Sequence, residues 1–476
     1  MNLLIFQKNV IRIWIAVCII LWGCASYYKS NIKFQKHFEE GELEKAAEIL
    51  EKQKKEAEGK DRLLHFLSSG VVYQMLGEYR KSNEYFEKAY IYLEDIQKNY
   101  TLEAFSLLTN PMIKQYSGED FETVLIHYYK ALNYLQLYQF DEALVECRRI
   151  NIKLNKLNDR YSKHKNRYKE DAFGLNLMGI IYEASGEIND AFIAYRNAYE
   201  TYINDYVSLF GVHPPEQLKE DLLRTAHLNG FREELLHYEQ KFGINYEHQN
   251  VADSELIFFW HNGLGPVKDE WSINFAIVKG EGGIVNFVNR DAGFTFAYDT
   301  NKYYGKKSTD FGDLKAIRVA FPKYVTRQPY YDSAEIISGG KIYRLELAEN
   351  INDIAYKTLE DRMMREFSTA LIRLAVKQLT EELVRKENEN LGTILSIINA
   401  ATEKADTRNW QTLPFSISYV RVPLKEGQNT VELKNYSSRG EGSEISFQFE
   451  AEKGQTLFHV FHTLESLPIR STVFYN

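Results

Sequence analysis

Cysteine is nearly absent from this chain. Of 476 residues three are cysteines, Cys18, Cys24 and Cys147, and only the last lies in the body of the protein. Once Cys24 is modified, as argued below, the mature chain has no intrachain disulfide and holds together by core packing alone. A surplus of positive charge is missing too. The formal net charge is −8, and loss of the leader residues Lys8 and Arg12 makes it more negative still. Nothing here offers the basic face that nucleic acid requires. The apolar run of the N-terminus, residues 13–22, is ten residues long, against about 20 for a membrane-spanning helix. Absent as well are HExxH, a P-loop, GxSxG and a CxxC pair, which removes the common metalloprotease, nucleotide, serine-hydrolase and redox readings. Ser26-Tyr27-Tyr28-Lys29 has SxxK spacing but sits beside the N-terminal segment without a Lys-Thr-Gly partner. His459 and His462 stand three apart on an expected strand and so point to opposite faces. The expectation is therefore no enzyme, no cofactor and no metal.

What is present begins with an export signal. Lys8 and Arg12 precede the apolar run, which ends in Leu21-Trp22-Gly23-Cys24, the secretory order. That block resembles a lipobox, with Trp22 where a small or β-branched residue is usual. Residues 1–23 are expected to be removed and Cys24 to carry the lipid, palmitate-type chains holding by about 0.8 kcal/mol per buried CH₂. Ala25-Ser26 lacks the aspartate that retains lipoproteins in the inner membrane, and the first charge is Lys29. The expected location is the outer membrane, facing the periplasm.

The length calls for two or three domains, and 44% hydrophobic with 26% charged residues is globular composition. One spacing recurs: a small residue, an aromatic three later, glycine at seven, a small residue at twelve, then bulky and small ones at sixteen and nineteen. Gly179, Tyr182, Gly186, Ala191, Tyr195 and Ala198 fit it best, followed by Gly70, Tyr73, Gly77, Ser82, Phe86 and Ala89. Ala131, Tyr134, Tyr138, Ala143, Cys147 and Ile150 form a copy degraded at the turn, and His37, Gly41, Ala46 and Leu50 a weaker one. This is the tetratricopeptide pattern, in which two antiparallel helices cross where small side chains meet. Gly70 is expected to face Ser82, and Gly179 to face Ala191. The copies are wider apart than the usual repeat of about 34 residues, so extra segments are expected near 96–118 and 151–170. The second is basic, and a solvated helix face or loop is its plain reading. A hairpin at 216–228 and 231–242 is expected to cap the stack. Residues 24–248 thus form an all-α superhelix.

From about 249 to 476 the period shortens. Strands are expected at 255–260, 271–278, 314–321, 341–347, 415–422, 430–433, 444–449 and 457–462. A helical pair is inserted at about 352–404, giving an α+β domain with a mostly antiparallel sheet. Three blocks carry a resemblance: Phe258, Trp260, His261, Asn262, Gly263, Leu264, Gly265 and Pro266; then Phe321-Pro322-Lys323-Tyr324; then Ala405-Asp406-Thr407-Arg408-Asn409-Trp410-Gln411-Thr412-Leu413-Pro414. They resemble an uncharacterised family of bacterial lipoproteins with tetratricopeptide-like N-terminal halves. Members are often encoded near lipoproteins that activate penicillin-binding proteins. The resemblance implies envelope work and brings no catalytic residue.

Loops on a rigid scaffold are where sites gather. The candidates are His261 beside its Gly-Leu-Gly-Pro loop, and Asp406, Arg408 and Trp410 in an irregular run that equally suits a structural corner. The leading expectation is an outer-membrane lipoprotein acting as a scaffold. The membrane holds it through Cys24, and a protein or peptide partner lies in the groove of the repeats. Its rivals are a glycan-binding nutrient-capture lipoprotein and a hydrolase using the C-terminal domain.

Overall fold

The computed structural model describes residues 31–53, 58–98, 112, 114–160, 170–247, 253–279, 284–289, 294–299, 316–363 and 404–468. The leader, Cys24, residues 161–169 and most of the expected helical insertion lie outside the described residues.

Helical hairpins occupy the first half. They are α1 (Ile32–Glu39) with α2 (Leu43–Lys52), α3 (Arg62–Met75) with α4 (Tyr79–Lys98), and α5 (Asp120–Gln136) with α6 (Phe140–Arg160). Then come α7 (Ala172–Ala184) with α8 (Ile188–Thr201), and α9 (Glu216–Leu228) with α10 (Arg232–Phe242). One device ends every first helix. The N–H of Glu42, Glu78, Gln139, Glu187 and Phe231 donates to the carbonyl five residues back, on His37, Tyr73, Tyr134, Tyr182 and Ala226, at 2.8–3.0 Å. The residue before each of these donors is left-handed, as such a cap requires. Gly77 has φ +76° and Gly186 φ +83°, whereas the degraded copy puts Tyr138 there at φ +55°.

The small residues make room for a different neighbour from the one expected. Ser82 Oγ does donate to the Gly70 carbonyl at 2.6 Å. The tightest approach, however, is aromatic: a Cβ on Gly70 would stand 2.5 Å from the Phe86 ring, and one on Gly179 would stand 2.3 Å from Tyr195. Each glycine is thus the seat of the ring sixteen residues on. The wide spacing is met partly by lengthened helices. α4 runs for 20 residues and α6 for 21; beyond the last copy, α8 continues through a π turn, Tyr202–Tyr206, into Val207–Phe210. Lys153 is not solvated as expected. It is buried and paired with Glu94 at 3.6 Å.

Strands follow: β1 (Ser254–Asn262), β2 (Val267–Lys279), β3 (Ile284–Asn289), β4 (Phe294–Asp299), β5 (Ala316–Val325), β6 (Ser333–Ser338), β7 (Lys341–Arg344) and β8 (Glu346–Asn350). Residues 351–363 form a helix, α11. After the insertion come β9 (Ser416–Leu424), β10 (Gly427–Tyr436), β11 (Ser443–Ala451) and β12 (Thr456–Thr463). Among the described residues these make three four-stranded sheets, ordered β12-β1-β9-β8, β11-β10-β6-β7 and β4-β3-β2-β5. Among the described strands, pairing is antiparallel except between β1 and β12.

The first of these sheets is covered on both faces. Ile257, Phe259, Ile417, Tyr419 and Phe458 belong to the same core as the helices. Alternating with them, Leu256, Phe258, Trp260, Val420, Val422 and Leu457 share a second core with β6 and β10. The order is therefore outer helices, inner helices, central sheet, outer sheet.

A buried joint as the candidate site

The inner helices are the face that a stack of such hairpins offers as its groove. Here that face is taken by the chain's own sheet, and α5 shows it most clearly. Phe121 to Asn133 are all buried, and Lys130 is 2% exposed. A helix buried on every side has neighbours on every side. Tyr128 meets His261, and Phe173 meets Phe259 and Tyr419, with ring centroids 5.9–6.3 Å apart. The groove expected to be open to a partner is filled from within.

The three sequence blocks converge at the N-terminal end of α5. Gly263, at φ +62°, lies so near Pro329 that a Cβ would come within 2.7 Å of that ring. Gly265 N–H donates to the Leu413 carbonyl at 2.7 Å, and Asn409 Nδ2 donates to the Pro266 carbonyl at 2.8 Å. From the second block, Tyr324 sets its ring edge-on to Phe121 of α5. Trp410 is 1% exposed, its indole 5.9 Å from the Phe86 ring and 5.5 Å from Tyr129. Its Nε1 donates to Thr412 Oγ1 at 2.8 Å.

Charges in the joint are paired in place. Arg408, also 1% exposed, donates to Asp406 Oδ2 at 2.7 Å, Asp61 Oδ1 at 2.9 Å and the Lys114 carbonyl at 2.9 Å. Glu122 accepts from the Trp410 N–H at 2.6 Å, the Tyr116 hydroxyl at 2.6 Å and the Glu119 N–H at 3.0 Å. Burial, then the charge of Glu119, push the Glu122 carboxyl up to about 7. For Glu119 the burial penalty is outweighed by Arg362 and Lys268, its ion-pair partners, which hold it below the usual carboxylate range.

A second cluster pins β9. Arg421 donates to Glu183 at 2.8 Å and to Asp221 at 3.1 Å, and also pairs with Glu255. Arg224 grips the same Glu183 at 2.8 Å with two donors. Burial opposes the charge of Glu183, but the two guanidinium groups prevail and hold it at about 2.

His261 is fully buried and shares a 2.9 Å hydrogen bond, through Nε2, with the Tyr128 hydroxyl. Its ring stands edge-on to His462, centroids 4.4 Å apart. His459 lies on the opposite face among Phe258, Phe447 and Phe449, as strand alternation dictates. Thus His261 and Trp410 flank one tyrosine, Tyr129, while Asp406 and Arg408 sit beyond it. The sequence reading missed Tyr128, Tyr129, Glu122 and Arg421. For the tyrosines a signal existed, since the apolar residues of α5 cover more than half of its circumference, wider than one stripe; for Arg421 none did.

Among the described residues one group brings three possible metal ligands within 4.8 Å, His37, Glu40 and Glu42. It lies at the first turn, where Lys45 and His37 already engage Glu42. A cleft of about 670 Å³ opens between α4 and α5, lined by Arg80, Asn83, Lys88 and Tyr134 among others. It contains none of the candidate site residues His261, Asp406, Arg408 and Trp410.

No family model and no curated protein matches the chain. Solved structures similar to it include MamA, at 15% identity over 44% of this chain and 91% of that one, with TM-score 0.28. A kinesin light chain with tetratricopeptide-like repeats from Podosopora anserina has 16% identity over 45% and 92%, TM-score 0.30. The Rap conjugation regulator of plasmid pLS20 with its Phr* peptide has 16% identity over 44% and 52%, TM-score 0.26. At such TM-scores these likenesses carry no weight for this chain, and the helical hairpins stand on their own geometry.

Proposed function

We propose that this chain is a lipid-anchored scaffold of the bacterial envelope, acylated on Cys24 and facing the periplasm from the outer membrane. There it presents a rigid body to protein partners in cell-wall synthesis or envelope assembly. The observation that carries the reading is the single core shared by the hairpins and the central sheet. A joint of paired buried charges and aromatic rings suits a body that holds a shape for others to bind. A partner entering the inner face must displace Trp410 and break the Arg408 and Arg421 pairs, so the partner surface of this reading is the outer one. The anchor rests on Gly23-Cys24 behind its apolar run. In cells fed a labelled fatty acid, wild type should take up label and Cys24→Ser should not; equal labelling sinks the lipoprotein. Crosslinking in cells, then purification of the mature chain, should recover one protein repeatedly. Recovery of cell-wall glycan instead would overturn the scaffold.

A further inference from the structure

β11 ends its sheet. Among the described residues it pairs with β10 on one side and with no strand on the other. Half of the backbone groups of such a strand face outward, a template for another strand. Two features say which strand fits. Its core-facing side chains, Phe447 and Phe449, are only half-buried, and they lean on the half-buried His459 and Phe461 of β12 at 4.8–5.4 Å between centroids. The seam between the two sheets is thus an aromatic strip with one flank uncovered. The solvent-facing row is acidic: Glu444, Ser446, Gln448 and Glu450 are exposed, with Glu432 beside them on β10. Lys434, 3.3 Å from Glu444, is the basic neighbour on that row.

We propose that the β11 edge is a docking site for an extended segment of a partner protein, one that alternates apolar residues with lysine or arginine. Its apolar side chains cover Phe447 and Phe449, and its basic ones lie beside Glu444 and Glu450. A second copy of this chain fits worse. Two-fold antiparallel pairing of the whole strand about Phe447 sets Glu444 against Glu450 twice, and like charges directly opposite are destabilising. A basic strand turns both contacts favourable, and main-chain bonds supply affinity as in other strand additions.

The test uses the mature chain and two capped peptides, one alternating lysine with valine, the other glutamate with valine. The lysine peptide should slow hydrogen exchange at the β11 amides and the glutamate peptide should not. Glu444→Lys with Glu450→Lys should weaken the lysine peptide by about tenfold or more, read by fluorescence anisotropy. Gln448→Lys, which leaves the Lys434 pair intact, should weaken it in the same direction. Equal binding of both peptides overturns the proposal, as does protection elsewhere with β11 exchange unchanged. So does sedimentation of the chain alone as a dimer that the double variant dissolves.

Discussion

Trp410→Ala tests the joint directly. The indole is 1% exposed and lies on Phe86 and Tyr129, both fully buried. An aromatic of this size buries about 150–250 Å², which at about 25 cal/mol/Å² is roughly 4–6 kcal/mol of transfer free energy. Truncations of buried tryptophan cost about 3–5 kcal/mol, and the lower figure allows for partial collapse of the site. Because the ring belongs to the C-terminal part and its seat to the repeats, an isolated C-terminal fragment cannot report the loss. Urea unfolding of the mature chain, followed by tryptophan-independent circular dichroism, is the assay. The midpoint should fall by the equivalent of at least about 3 kcal/mol, with helical and sheet signals shifting together. A cycle with Tyr129→Ala should show coupling of about 1 kcal/mol, the order measured for contacting residues. A loss below about 1 kcal/mol, or additivity in the cycle, refutes the joint.

Gly179→Ala should cost about 1–3 kcal/mol by overpacking, since the new Cβ meets the Tyr195 ring at 2.3 Å; an unchanged urea midpoint would refute that seat. Arg421→Ala leaves Glu183 and Asp221 buried beside one fewer cation and should cost about 3–5 kcal/mol, visible in the same melts. Glu122 supplies a pH signature: its folded pKa lies near 7, above the ordinary glutamate value. Its contribution is therefore full below that ordinary value and is lost as pH rises toward 7. Urea midpoints of wild type should fall between about pH 5 and 7 relative to those of Glu122→Gln, and parallel profiles would contradict the raised carboxyl.

The hairpins were legible because their cause is local. A cap that needs a left-handed residue writes glycine at a fixed offset, and the last hairpin, expected at 216–228 and 231–242, lies at Glu216–Leu228 and Arg232–Phe242. Long strands with steady alternation were legible for the same reason. β6, β3 and β4 were not, being six residues each with little pattern to set them apart from loop. The parallel pairing of β1 with β12, about two hundred residues apart in the chain, follows from no local period. Of the candidate site, Trp410 and His261 were named for their loops. Their common neighbour Tyr129 went unseen, because contact across the joint is a property of the folded pair.

What the inner helices contact bears most on function. Read alone, a tetratricopeptide-like stack implies an open groove, since each hairpin needs only its neighbours to cover its seam. α5 contradicts that premise in its own residues. Val124, Leu125, Ile126, Tyr128, Tyr129, Ala131, Leu132 and Leu135 spread over more than half of its circumference and are buried, while Thr123, His127 and Lys130 form a polar row on the remaining side, where Glu146 pairs with the last two. A partner that came and went would leave the apolar side bare for part of the time, at the full cost of exposing those rings. Only a permanent neighbour is consistent with that apolar side, and the central sheet is that neighbour. The inner face is therefore interior, and any ligand that exchanges must meet the protein on a surface whose own side chains tolerate water, as the acidic row of β11 does.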